Sequence, residues 1–242
     1  MSTAGFPESL WREPEAQDAA IDWPALQLHD VFKIYRSGPV ETVALRGLEL
    51  AVEQREFVAV LGPSGCGKST MLSLAAALDQ PSAGEVRVAG KSLQRLDEGE
   101  LSRFRANDLA LIFQSDNLWP LLSARENVAL ALRLAGAADP QIQAEAALDE
   151  FGLKSRGANR AGALSGGEQQ RVAVAAAFAR EAQLVLADEP TGELDGGNER
   201  LVLDALSRLR ATRGCAVVLV THSSQVAAAA DRVIEMRDGA VL

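Results

Sequence analysis

Apolar and polar positions begin to alternate near residue 26, and that alternation predicts strands. Leu26-Gln27-Leu28-His29-Asp30-Val31, Val43-Ala44-Leu45 and Leu48-Glu49-Leu50-Ala51-Val52 each place apolar side chains on one face, as in an antiparallel sheet covered on one side. Phe57-Val58-Ala59-Val60-Leu61 breaks the alternation. It is wholly apolar and bounded by charge and glycine, the pattern of a parallel strand buried on both faces. A glycine-rich turn follows, then a helix over about 68–78. Residues 115–163 are helical in character, with Ala- and Leu-rich periodicity over 124–135 and 141–151. A helix over about 166–180, an apolar strand at Leu184–Ala187, a helix over about 198–213 and an apolar strand at Ala216–Val220 complete the pattern. Apolar strands alternating with helices predict a parallel sheet with both faces covered. Residues 1–24, with Pro7, Pro14 and Pro24 and an acidic bias, read as an irregular leader whose Trp11 and Trp23 pack on the domain or on a partner, packing on the domain being favoured.

Composition narrows the class without naming an activity. The chain has 242 residues, 48 % apolar and 24 % charged, enough for one large α/β domain with an insertion. Its longest apolar stretches fall well short of a membrane-spanning helix, and residues 1–24 lack the basic start and apolar run of a signal peptide. The expected location is therefore the cytoplasm, with any membrane attachment through a partner. A net charge of −9 argues against nucleic acid as a partner. Cys66 and Cys215 make no disulfide framework, and with His29 and His222 as the only histidines a zinc site is not expected.

The strongest chemical signal is Gly62-Pro63-Ser64-Gly65-Cys66-Gly67-Lys68-Ser69, which fits the G-x-x-x-x-G-K-[ST] pattern between a buried strand and a helix start. Glycines let backbone N–H groups curl around an anion, and the helix N-terminus adds its positive dipole end. Lys68 would contact the β- and γ-phosphates of a nucleoside triphosphate, and the Ser69 hydroxyl would ligate Mg²⁺. Asp188 and Glu189 end the apolar strand Leu184–Ala187; beside such a turn Asp188 would hold Mg²⁺ through water and Glu189 would polarise an attacking water.

Leu164-Ser165-Gly166-Gly167-Glu168-Gln169-Gln170-Arg171 resembles the signature motif of ABC ATPases, and the chain is similar to that family from about residue 26 to its end. Ser165-x-x-Glu168 also has the spacing of a capping box, and paired glycines suit a backbone that must come close to something. The resemblance implies an α/β phosphate-loop NTPase fold spanning 25–242, with a parallel core sheet, an N-terminal antiparallel β-subdomain and a helical subdomain inserted at about 115–164. It implies ATP and Mg²⁺ as cofactors, and ATP held between the Lys68 turn, with Thr70 adjoining, of one copy and Ser165, Gly166, Gly167 and Glu168 of a second copy. It further implies that Tyr35 stacks on adenine, that Gln114 senses Mg²⁺ and water, that Asp195 communicates across the dimer, and that His222 contacts the γ-phosphate. Ser223 and Ser224 follow His222 where the family commonly has an acidic residue, which implies different local hydrogen bonding at that histidine; Ala176 and Glu193 also depart from the usual pattern, and neither removes a catalytic group.

Glu41-Thr42-Val43-Ala44-Leu45-Arg46-Gly47, Asn117-Leu118-Trp119-Pro120 with Glu126-Asn127-Val128, and Ala187-Asp188-Glu189-Pro190-Thr191-Gly192 resemble the branch of lipoprotein-release, macrolide-efflux and cell-division ATPases. That likeness implies an ATPase subunit on the cytoplasmic face of the membrane, working in a head-to-tail pair on a membrane-spanning permease subunit, in export, extraction or periplasmic mechanical work. The alternatives are an importer for amino acids or similar small solutes, a soluble ABC ATPase of DNA repair or translation, and a regulator of a cell-wall enzyme.

Overall fold

A computed structural model describes residues 23–242 except Pro39. In chain order the elements are β1 (Leu26–Ser37), β2 (Val40–Val52), β3 (Phe57–Leu61), α1 (Lys68–Ala75), β4 (Ala83–Val88), β5 (Lys91–Ser92), α2 (Glu98–Asn107), β6 (Leu109–Ile112), α3 (Ala124–Leu134) and α4 (Pro140–Glu150). They continue with α5 (Gly166–Ala179), β7 (Leu184–Asp188), α6 (Gly196–Arg213), β8 (Ala216–Thr221), α7 (Ser224–Ala227), β9 (Arg232–Arg237) and β10 (Ala240–Val241).

Two sheets result. An antiparallel one runs β2-β1-β4-β5, and a six-stranded one runs β10-β9-β3-β8-β7-β6. In the second, β9, β3, β8, β7 and β6 are mutually parallel and β10 adds an antiparallel edge. The apolar strands follow from burial on both faces. Val58, Val60, Val218 and Val220 point toward α1 and the antiparallel sheet, while Phe57, Val217 and Leu219 point toward α3, α5 and α6. Helix α1 lies between the two sheets with Met71, Leu72, Leu74 and Ala75 buried.

Several elements differ from expectation for identifiable reasons. The two strands expected at 43–45 and 48–52 are one strand, β2, because Gly47 takes φ 63 and the β1–β2 register shifts beside it. A Cβ on Gly47 would come 3.1 Å from Asp30 Oδ1. Helix α1 stops at Ala75, short of the predicted end, because Ala77 adopts a left-handed φ of 52 and the Leu78 N–H turns back to Ser73 O. Helix α6 starts at Gly196 because Asp195 caps it there. The helical stretch 115–163 contains two separate helices, α3 and α4, each of 11 residues. Trp11 lies outside the described residues. Trp23 packs on the domain: the Arg87 guanidinium lies 5.9 Å from its ring centroid, and its carbonyl accepts from Gln54 Nε2 at 3.1 Å.

Leu186, in the centre of β7, is 0 % exposed. Leu186→Ala is expected to cost about 2–5 kcal/mol, a transfer term plus the cavity left in a sheet core that relaxes little. Urea denaturation reads this directly, and a loss below about 1 kcal/mol would contradict the packing described.

Candidate functional site

Parallel pairing aligns the carboxyl ends of three neighbouring strands. Leu61 of β3 pairs with Thr221 of β8, and Asp188 of β7 pairs with Val220. The glycine turn, the Asp188-Glu189 pair and His222 therefore leave the sheet at one edge, where ligands bind in open α/β sheets. There they wall an open cleft of about 800 Å³ together with Gln114 and with Thr42, Val43 and Ala44 of β2.

The turn holds its shape through backbone conformations that favour glycine. Gly65 takes φ 80 and Gly67 φ 106, and a Cβ on Gly67 would lie 2.6 Å from Ala44 O. Ser64, Gly65, Gly67, Lys68, Ser69 and Thr70 face the cleft. Gly62 and Pro63 stand behind, and their carbonyl oxygens accept from Lys68 Nζ at 2.8 and 3.0 Å. Lys68 is 7 % exposed. Its ammonium is satisfied by weak neutral acceptors beside an open anion-sized space, poised to exchange them for stronger anionic ones. Cys66 is buried with its Sγ 4.0 Å from Lys68 Nζ, a packing position.

The acids and the histidine at the strand ends are held by position. Burial pushes the Asp188 carboxyl above its usual range, with Glu189 adding to the shift, while a hydrogen bond from Ser69 and the charge of Lys68 oppose it. Glu189 sits at φ 46, unusual for a residue with a Cβ. Its N–H donates to Val220 O at 3.1 Å, which helps hold that conformation. Its carboxylate is fixed at both oxygens: Thr221 Oγ1 donates to Oε2 at 3.2 Å, and His222 Nδ1 lies 2.9 Å from Oε1. Gln114 Nε2 donates to Glu193 Oε1 at 3.3 Å.

Tyr35 does not wall the cleft. It is 42 % exposed, its hydroxyl donates to Asp79 Oδ2 at 3.1 Å, and Lys33 Nζ lies 4.9 Å from its ring centroid. Burial opposes the Asp79 charge, but hydrogen bonds from Lys33, the Gln80 N–H and Tyr35 outweigh it and hold that carboxyl below its usual range. Thr42, paired with Tyr35 across β1 and β2, is the residue that faces the cleft.

Ser165, Gly166, Gly167, Glu168 and Asp195 also lie outside these walls, at the adjoining N-termini of α5 and α6. The capping box is present: Ser165 Oγ accepts from the Glu168 N–H at 3.3 Å, and Glu168 Oε2 accepts from the Ser165 N–H at 2.9 Å. That backbone bond, aided by Arg156 Nε at 2.9 Å, keeps the Glu168 carboxyl below its usual range against the effect of burial. Asp195 accepts from the Gly197 and Asn198 N–H groups at 3.1 and 2.9 Å and from Asn198 Nδ2 at 3.0 Å. These bonds, the ones from Asn198 foremost, lower its pKa.

The close approach expected of the paired glycines is, at Gly167, made to this chain's own Asn198, whose Oδ1 a Cβ would meet at 2.5 Å. Gly166 is exposed, with Leu194 Cδ2 3.2 Å from where its Cβ would sit. Sequence reasoning missed Thr42–Ala44, Thr221, Asn198 and Arg156. Of these only Thr221 carried a signal, as the last residue of an apolar strand before His222. Gly167→Ala is expected to cost about 1–3 kcal/mol through this overlap, read as a lowered denaturation midpoint, with part of the loss restored by adding Asn198→Gly. An unchanged midpoint in the single variant would refute the contact.

Comparison with known proteins agrees with this geometry. The family described as ABC transporter matches residues 45–192. The lipoprotein-releasing system ATP-binding protein LolD of Chromohalobacter salexigens is 43 % identical over 230 residues, covering 91 % of this chain and 97 % of that protein. The macrolide export ATP-binding/permease protein MacB of Hyphomonas neptunium is 43 % identical over 221 residues, and the pyoverdine export ATP-binding/permease protein PvdT of Pseudomonas putida 46 % over 224. Each match covers 90 % of this chain but 34 % of the relative, so the chain spans about a third of their length. The dimeric, post-hydrolysis structure of the ATP-binding cassette MJ0796 bound to ADP and Pi superposes with a TM-score of 0.82 at 39 % identity, covering 89 % of this chain and 96 % of that one. The α/β architecture, with its antiparallel N-terminal sheet and parallel core, is that of the ABC ATPase cassettes. With its phosphate turn, strand-end acids and signature helix in one continuous match, the chain belongs to the ABC transporter family.

Proposed function

We propose that this chain is the ATP-binding and ATP-hydrolysing subunit of a transporter, acting as a head-to-tail pair and driving a membrane-spanning permease in export or extraction. The observation that carries the reading is the single cleft joining Lys68, Ser69, Gln114, Asp188, Glu189 and His222. The triphosphate lies along the glycine turn, where backbone N–H groups and the α1 N-terminus favour an anion. Lys68 leaves the Gly62 and Pro63 carbonyls for phosphate oxygens. Ser69, Asp188 and Gln114 offer hard oxygen donors of the kind Mg²⁺ takes, and Ser69 already bonds Asp188. Bound there, the ion would neutralise charge on the phosphates.

Glu189 orients the attacking water. Its carboxylate is held at both oxygens, so little reorganisation is needed as its proton affinity is used. His222, exposed at the cleft mouth, keeps Glu189 in place through Nδ1 and leaves Nε2 for the γ-phosphate. Ser165 and the glycines after it, lying outside the cleft of their own chain, serve the partner copy. Tyr35, bonded to Asp79 outside the cleft walls, would have to meet adenine at the rim beside Thr42, its partner across β1 and β2. The chain divides into a leader at 1–24 and one ATPase domain at 25–242, with a helical subdomain at about 115–164 that carries the motion outward. Trp119, 67 % exposed, and Leu134, 71 % exposed, border a groove beside α3 suited to a helix of the permease.

No helix among the described residues is long and apolar enough to cross a membrane. In this reading the permease supplies attachment at the cytoplasmic face. The likeness to the lipoprotein-releasing ATP-binding protein over nearly its full length favours export or extraction over import. Glu189→Gln keeps the shape and removes the base; hydrolysis is expected to fall about 10²- to 10⁴-fold while ATP binding persists. Equal turnover in wild type and variant would remove Glu189 from the reaction.

A further inference from the structure

Gln170 is a buried amide in the second turn of α5, 4 % exposed. An amide at such a depth is costly unless bonded, so its partners define its task. Gln170 Nε2 donates to two consecutive main-chain carbonyls, Phe113 O at 2.9 Å and Gln114 O at 2.6 Å. Its Oε1 accepts from Asn117 Nδ2 at 3.0 Å. Asn117 in turn clamps Phe113 at both main-chain atoms: its Oδ1 accepts from the Phe113 N–H at 2.7 Å, and its Nδ2 donates to Phe113 O at 2.7 Å. The segment between β6 and α3 has no regular structure near Gln114, and Asp116 within it takes φ 60. These amide contacts supply the order that a helix or sheet ladder would otherwise give.

Their placement joins two regions the cleft keeps apart. Gln114 walls the cleft of its own chain, whereas the first turn of α5 carries Ser165 and Gly166 on the exposed surface. A single helix of 14 residues holds both Ser165 at its cap and Gln170. We propose that Gln170 is a positioning residue for hydrolysis. Through the Phe113 and Gln114 carbonyls it fastens the Gln114 segment to the signature helix, so that the surface meeting one nucleotide and the side chain serving the other move as one body. Asn117 completes the fastening and also lines the groove beside Trp119, placing all three surfaces on one short polar network. The inference rests on the function proposed above and adds a coupling residue to it.

The test is a double-mutant cycle on steady-state ATP hydrolysis by the full chain. Gln170→Met keeps the length and removes the bonds. It is expected to leave the KM for ATP within about twofold, to lower kcat about tenfold and to raise the Mg²⁺ concentration giving half-maximal rate. Because Gln170 acts through Gln114, the Gln114→Ala/Gln170→Met double variant should be no slower than Gln114→Ala alone. Asn117→Asp, of equal size and on a half-exposed loop side chain, carries the same comparison if Gln170→Met does not fold. Multiplying effects in the double variant would overturn the inference, and so would full turnover by Gln170→Met. Gln114→Ala that hydrolyses normally would also overturn it, while the function itself is judged separately by Glu189→Gln.

Discussion

The parallel register of β3, β8 and β7 is the constraint on which the site depends. Three adjacent strands, apolar on both faces, are locked side by side because both of their faces are buried. Their carboxyl ends are thereby level, and everything that leaves them meets in one place: the glycine turn after Leu61, the acids at Asp188 and Glu189, and His222 after Thr221. A slip of one residue in β7 would turn Asp188 to the other face and replace the cleft with packing. The core thus sets where the site residues lie, and bonds among them, such as those from Thr221 and His222 to the Glu189 carboxylate, fix their side chains.

A second feature is the separation within one chain between the cleft and the capped N-termini of α5 and α6. Both are rich in backbone N–H groups, but Ser165 and Asp195 have taken several of theirs for capping, and Glu168 is neutralised by Arg156. Among the described residues, none that walls the cleft of its own chain bonds to Ser165 or Asp195. In the proposed pair each chain gives a binding turn to one nucleotide and a signature turn to the other, which makes hydrolysis depend on association. The contacts of Gln170 and Asn117 give a polar route between those two duties.

Much of this was legible in the sequence because it lies in contiguous patterns. The strand–turn–helix around Lys68, the capping box at Ser165 and the apolar run before Asp188 each carry local physics, and each sits where expected. Tyr35 was less accessible: the alternation read in the sequence stops at Val31, short of it, and says neither that its hydroxyl reaches Asp79 nor that Thr42 across the ladder faces the cleft. Strand β4, helix α2 and strand β9 were not anticipated, although Glu85-Val86-Arg87-Val88 and Ile234-Glu235-Met236-Arg237 do alternate; the runs are short, and in β4 the charged Arg87 is itself buried. The partner of Gly167 is Asn198, 31 positions away, and no period reveals such a contact. For the same reason the glycine pair reads from sequence as a surface for a ligand when one member serves packing between helices.

The dependence on association is tested most directly by the mass of the Glu189→Gln variant in solution, measured by light scattering with and without Mg-ATP. The account predicts the 25.6 kDa monomer without nucleotide and twice that mass with it, and a return to monomer when Ser165 is also replaced by a bulky residue. A variant that stays monomeric at saturating Mg-ATP, while the wild-type monomer hydrolyses ATP at a rate per chain independent of protein concentration, would contradict it.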